Sequence, residues 1–292
     1  MNIIETLLNG LSSGGTYAMI ALGYTMVYGI AKMLNFAHGD IIMVGGYVIY
    51  VTMSLMGNPI LGLVAAIIFC IILGVTIEKI AYKPLRGASP LAVLITAIGV
   101  SYLLQSTAQI IFGSSPKMVI VGELGNITVG DLKVPVYTVV TLICSFAIMI
   151  ALNLFVKYTK VGRAMIAVSE DKGAAQLMGI NVNGIIMITF AIGSGLAAFA
   201  GFFMLMKSPS LSNTLGAMPG IKAFTAAVIG GIGSIPGAMV GGILLGVIEG
   251  LIPMIGSTVI NTLSDAIVFS ILIVVLLVKP TGILGKKIQE KV

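Results

Sequence analysis

The chain has 292 residues, of which 58% are hydrophobic and only 9% charged. A soluble domain carries about 25% charged residues, so this composition excludes a water-soluble globular protein and specifies an integral membrane one. The formal net charge of +6 gathers in a few loops, as membrane topology requires, which argues against nucleic acid as a partner.

The apolar stretches are long, rich in Leu, Ile, Val and Met, and separated by short polar loops. Such segments span as α-helices, because each must satisfy its own backbone hydrogen bonds. A β-barrel would show alternating segments of about ten residues, and the sequence has none. The opening MNIIETLLNGL carries Glu5 but no Lys or Arg, unlike the basic start of a cleaved signal peptide, and is expected to begin the first span. Seven full spans are predicted near 4–29, 40–56, 60–82, 90–112, 136–156, 185–206 and 258–278. A further Gly-rich apolar stretch, 219–254, is interrupted by GGIGSIPGA. The expectation is an all-α polytopic membrane protein forming a single transmembrane domain over 1–292.

Three segments hold most of the cations: Lys79, Lys83 and Arg86; Lys157, Lys160, Arg163 and Lys172; and a tail at 279–292 with Lys279, Lys286, Lys287 and Lys291. The positive-inside rule makes these cytoplasmic. Alternation then puts the N-terminus outside, the C-terminus in the cytoplasm, and 113–135 outside as an extracytoplasmic cap. Alternating apolar and polar residues around Gly125-Asn126 and Gly130-Asp131 predict a small β-hairpin or an irregular cap there. Residues 207–218 fall outside, so 219–254 must enter and return to one side. It is a re-entrant hairpin or two short spans turning at Ser234-Ile235-Pro236-Gly237, with arms of about 15 residues where a full span needs about 20.

Glycines cluster within spans, among them Gly10, Gly14, Gly15 and Gly23, then Gly193, Gly195 and Gly201. Small residues let helix backbones approach closely in a bilayer, or let helices slide as a pathway opens. Cys70 and Cys144 lie far apart in apolar segments and read as small buried hydrophobes. One histidine cannot build a two-histidine metal site. No CxxC, HExxH or GxxxxGK[ST] string occurs. The expectation is no catalytic centre, no metal, no cofactor and no ATP hydrolysis by this chain, so an ion gradient or a partner subunit must drive it.

Three polar features remain. The first is Asn35-Phe36-Ala37-His38-Gly39-Asp40, followed by Gly45-Gly46. Polar groups at membrane depth are costly and tend to face a cavity or bundle interior, and a Gly-flanked break resembles the discontinuous helices of transport sites. The same string also fits a solvated turn near the cytoplasmic side with Asp40 as N-cap of the next helix. The second is Gly230-Gly231-Ile232-Gly233-Ser234-Ile235-Pro236-Gly237-Ala238, which cannot continue a straight helix. It is either a tight turn between packed helices or backbone lining a watery path. The third is the loop from Val161 to Gly184. There Ser169, followed by Glu170 and Asp171, can start a short helix with acids at its positive end. Ala174, Ala175, Leu177 and Met178 continue it, and Gly179 stops it. Exposed Leu177, Met178 and Ile180 would make it a docking surface, the plainer alternative being a helix lying on the membrane surface. Glu78, Glu249 and Asp265 are the acids within spans. They are the features an ion-coupled carrier would use, although all three sit near segment ends, where interfacial or capping roles suffice.

Taken together, ALGYTMVYGIAKMLNFAHGDIIMVGGY, GRAMIAVSEDKGAAQLMGIN and KAFTAAVIGGIGSIPGAMVGGILLG resemble the LivH-type permease subunits of branched-chain amino acid ABC importers. The likeness spans nearly the whole chain. It implies a bacterial or archaeal inner-membrane permease domain over 1–292, paired with a homologous LivM-type permease. It also implies two cytoplasmic ATPase subunits and a periplasmic or lipid-anchored amino acid binding protein. By the same resemblance, residues 157–184 form the coupling loop, with Arg163, Ser169, Glu170, Asp171, Ala174, Ala175, Leu177 and Gly179 meeting the ATPase. Asn35, Phe36, His38, Gly39, Asp40, Gly230, Gly231, Gly233, Ser234 and Pro236 are the candidates for the pathway or gate. Related permeases handle urea, short amides and other amino acids, so the substrate is the less determined part of the expectation.

Overall fold

A computed structural model describes residues 3–122, 125–129, 132–255 and 261–285. The first apolar segment forms α1, Ile3–Ala31, and the chain then turns through 32–37 into α2, His38–Met56. Next come α3, Pro59–Ile77, and α4, Pro90–Phe112; then α5, Val136–Tyr158, and α8, Val182–Lys207, flank two shorter helices, α6, Lys160–Glu170, and α7, Lys172–Leu177. The Gly-rich stretch folds into α9, Ala217–Gly230, and α10, Ile235–Leu251, and the last described helix is α11, Ser264–Val278. Local chemistry marks the starts. Asn58 Oδ1 accepts from Ile60 N at 2.9 Å, Ser89 Oγ from Ala92 N at 3.3 Å, and Pro59 and Pro90 fill first-turn positions that need no donor.

Among the described residues, six helical stretches are long and apolar enough to cross a membrane: 38–56, 59–85, 90–112, 136–158, 182–207 and 235–255. α1 falls outside that group although it has 29 residues, about 43 Å at the helical rise. The reason lies in its position. Glycine, serine and threonine dilute its hydropathy, and it needs no greasy surface because α5, α8, α9 and α10 surround it. Ala18 through Leu22 are completely buried. α10 runs antiparallel along α1 with backbones nearly touching: Gly10 lies against Gly246 and Gly250, Gly14 against Gly242 and Ile243. Small-residue packing of this kind drives helix association in lipid, where burial against water cannot.

The two arms of the Gly-rich stretch differ in length. α9 has 14 residues, whereas α10 continues through a 3-10 turn to Ile255 and reaches 21, longer than the sequence suggested. The predicted span near 258–278 has a start outside the described residues. The expected hairpin is present: β2, Asn126–Val129, pairs antiparallel with β3, Leu132–Pro135, in the register Asn126↔Pro135 and Val129↔Leu132. Its turn, Gly130-Asp131, lies outside the described residues, as does Glu123. β1, Lys117–Met118, pairs with β4, Ser210–Leu211, tying the segment after α4 to the one after α8.

Candidate functional site

The first break folds back into the bundle instead of facing solvent. Lys32, with φ +58, turns the chain out of α1, and α2 begins at His38. Residues 35 and 37–40 are buried. His38 fits a notch that only glycine leaves open: a Cβ at Gly23 of α1 would strike its imidazole, and Gly193 of α8 lies beside the same gap. The ring meets Tyr24 edge-on at 4.8 Å, and Tyr24 and Phe36 both pack on Phe224 of α9. Among the described residues His38 Nε2 is buried without a hydrogen-bond partner. Gly39 abuts the backbone of Gly216, so the starts of α2 and α9 meet here.

Asp40 does not cap α2. The N-cap position belongs to Ala37, which makes no side-chain cap. Asp40 lies in the first turn, buried, and its Oδ1 accepts from Gln105 Nε2 of α4 at 2.8 Å. The turn that brings His38 against Gly23 points this side of α2 at α4, so the carboxylate finds a side-chain donor there. Asn35 Oδ1 accepts from Tyr82 Oη at 2.7 Å, with both groups buried. Tyr82 ends a π-helical turn, Glu78–Tyr82, that extends α3, and such irregular turns are often found at functional sites. Neither Tyr82 nor Gln105 stood out in the sequence; a tyrosine beside a basic loop and a glutamine in an apolar helix were the available signals.

The second break is a turn between packed helices. Gly230 and Gly237 meet backbone to backbone, and Gly231 and Gly233 take φ +110 and +91, which favour glycine. Ser234 Oγ accepts from Gly237 N at 3.2 Å and Pro236 sits in the first turn of α10. The start of the C-terminal tail covers this turn. Ile283 N and Leu284 N donate to the carbonyls of Ile229 and Gly230 at 2.8 and 2.9 Å. Lys286, Lys287 and Lys291 lie outside the described residues.

The third feature has a different helix start from the one expected. Ser169 and Glu170 belong to α6, and Ser169 Oγ donates back to the Ile166 carbonyl at 2.7 Å. Asp171 is the N-cap of α7, accepting from Ala174 N at 2.9 Å, and Gly179, with φ +81, ends the segment as expected. Ala175, expected to meet the ATPase, is instead buried in the protein's own core. Ile180 is half-buried, while Arg163, Glu170, Asp171 and Ala174 are exposed. Leu177 and Met178 are 90% and 83% exposed. Two contacts join this loop to the rest. Lys172 Nζ donates to the carbonyl of Ala31, the last residue of α1, at 2.8 Å. A cavity of about 70 Å³ is lined by Thr25 and Gly29 of α1, Met165 and Ser169 of α6, and Gly233 of the glycine turn. Ser169 and Gly233 thus come together, whereas the Asn35–Asp40 cluster is a separate centre. Next to Lys172, Arg86 pairs with buried Glu78 and also donates to Asn183 at the start of α8.

Glu249 and Asp265 share one cation. Lys222 of α9 places its Nζ 2.7 Å from Glu249 Oε1 and 2.7 Å from Asp265 Oδ1. The sequence signal was a lone lysine within KAFTAAVIGG, and a charge in an apolar helix requires a partner. Among the described residues no group of three His, Cys, Asp or Glu side chains converges to hold a metal.

The family model described as "Branched-chain amino acid transport system / permease component" matches residues 6–276. The chain belongs to this family. Its branched-chain permease relatives include the "High-affinity branched-chain amino acid transport system permease protein BraD" of Pseudomonas aeruginosa, 42% identical over 99% of this chain and 98% of the relative. The protein of the same description named LivH, from Escherichia coli strain K12, is 42% identical over 99% of this chain and 97% of its own length. The solved structure of PsaBC from Streptococcus pneumoniae in complex with Fab aligns over 95% of this chain and 92% of its own, with TM-score 0.49 and 14% identity. This member of the permease family is a multi-pass membrane protein, and the matched range contains both breaks and the whole α6–α7 loop.

Proposed function

We propose that the chain is one half of a heteromeric pore in an ATP-binding-cassette importer for leucine, isoleucine and valine. A LivM-type permease supplies the other half, two cytoplasmic ATPases drive alternating access, and a periplasmic or lipid-anchored protein delivers substrate. The N-terminus and the 113–135 cap face outward; residues 157–184 and the 279–292 tail face the cytoplasm. The names of the BraD and LivH relatives supply the substrate class of this reading.

The observation that carries the reading is α7 itself. Its Leu177 and Met178 stand almost fully in the open on a basic loop, while its inner face holds Ala175 in the core. An ATPase groove is the natural cover for two such side chains, and the chain has no nucleotide loop of its own. Motion at α7 has a short route inward: Lys172 pulls on the end of α1, and the α6 side of the small cavity leans on Gly29 and Gly233. The gate elements in this scheme are Asn35, Phe36, His38, Gly39 and Asp40 with the 230–236 turn. An ion-coupled carrier is less well supported, because Lys222 already neutralises one of the two acids it would use.

The test is co-purification of the ATPase subunits. Leu177→Arg should abolish it while the permease keeps its wild-type elution from a sizing column. Ala175→Arg should instead cost folded permease, because that position is internal. Normal ATPase recovery with Leu177→Arg would count against α7 as the docking element.

A further inference from the structure

A cavity of about 350 Å³ opens where the N-terminal part of α1 meets the C-terminal ends of α8 and α10. Binding sites for small molecules begin at about this size. Its wall carries both signs of charge. On one side is Lys207, the last residue of α8, whose Nζ donates to Ser13 Oγ at 2.7 Å. Two of its three ammonium protons remain available, and among the described residues no carboxylate is in ion-pair contact with it. On the other side is Glu249. Its Oε1 is taken by Lys222 and the Tyr17 hydroxyl of α1 lies beside the same carboxylate, but among the described residues its Oε2 is buried without a hydrogen-bond partner. Such an oxygen is costly and marks a place where a donor belongs. The group of Lys222, Glu249 and Asp265 holds one negative charge in excess, and Lys207 balances it from across the cavity. Gly10, Gly246 and Gly250 line it where the α1 and α10 backbones touch, and Ile252 and Pro253 supply an apolar edge.

We propose that this cavity receives the zwitterionic head of an aliphatic α-amino acid: Lys207 takes the carboxylate, Glu249 Oε2 the ammonium, and Ile252 and Pro253 the side chain. An uncharged sugar or amide would leave both charges unmatched, and a simple carboxylic acid would leave Glu249 Oε2 alone. The site rests on the permease reading above, in which this end of α1 faces the delivery protein, and would be the first acceptor of released substrate.

The test uses the full-length chain in discs of phosphatidylglycerol, with equilibrium binding of tritiated leucine. Saturable binding is expected, displaced by valine but not by leucinol, which lacks the carboxylate, nor by 4-methylpentanoate, which lacks the ammonium. Glycerophosphoethanolamine carries the same charge pair on a lipid headgroup and should not displace leucine. Lys207→Met should weaken binding by about tenfold or more, the loss of a charge-assisted contact, and Lys207→Arg should retain it. Absence of saturable binding, unchanged affinity in Lys207→Met, or displacement by leucinol or glycerophosphoethanolamine would overturn the proposal. If Lys207→Met fails to fold, the ligand series on the wild-type chain decides alone. Leucine uptake by the complete transporter separates the two levels. Wild-type uptake that persists in Lys207→Met would remove this site and leave the permease reading intact; no leucine uptake by the wild-type complex would remove the permease reading itself.

Discussion

Replacing Lys222 by methionine keeps most of the side-chain volume and removes the one cation shared by two acids. Lys222 is 8% exposed, and its Nζ lies 2.7 Å from each carboxylate. Asp265, with its side chain 44% exposed, contributes about 1 kcal/mol at most through that pair. The Glu249 contact, 25% exposed, is a partly buried charge-assisted hydrogen bond worth about 1.5–3 kcal/mol. Two like charges are then left facing the gap, so the expected loss is about 2–4 kcal/mol. The assay is heating of the detergent-purified protein, followed by the fraction that still elutes as a single species. Lys222→Met should melt well below the wild type, and adding Glu249→Gln and Asp265→Asn should recover much of the difference by removing the unpaired charges. Wild-type melting of Lys222→Met, or no recovery in the triple variant, would refute the view that this triad joins α9, α10 and α11.

Gly246→Val places a side chain where Gly14 and Gly10 supply backbone, so folded yield should collapse. Gly99→Ala in α4 meets nothing within 4 Å and should be neutral or stabilising by up to about 1 kcal/mol; both are read from expression and sizing profiles. Burial, with the Arg86 and Lys32 charges nearby, lowers the Lys172 pKa from the ordinary lysine value of 10.5. Between that lowered value and 10.5 the unfolded chain binds more protons than the folded one, so stability rises with pH across that window. Lys172→Met should flatten this rise in melting curves taken at successive alkaline pH values.

Most of the span pattern was readable because membrane helices are written in long apolar runs with prolines, caps and glycines at their ends. The hairpin at 126–135 and the stop at Gly179 follow from equally local chemistry. The misreadings share one cause: they depended on which way a helix faces. Ser169 and Asp171 are both good capping residues two positions apart, and only the fold of α6 shows that Asp171 does the capping. Ala175 and Leu177 sit in one short helix, and its packing on α6 and α8 decides that the alanine goes in and the leucine out. Asp40 carries the mark of a cap, but residues 32–37 fold inward and deliver it to Gln105 instead. Lys222 announced a need for a partner but not which one, because its acids come 27 and 43 positions later (249 − 222 and 265 − 222), beyond any local pattern. α1 shows the converse: beyond its exposed first turns, its mixed composition is what a central helix needs when neighbouring helices replace lipid.

The central claim is that this chain moves branched-chain amino acids only as part of an ATP-driven complex, and leucine uptake into proteoliposomes tests it most directly. Uptake should require the second permease, the ATPase subunits and ATP, and should persist when ionophores collapse every ion gradient. Leucine accumulation by the isolated chain under an imposed ion gradient, without ATPase subunits, would contradict it.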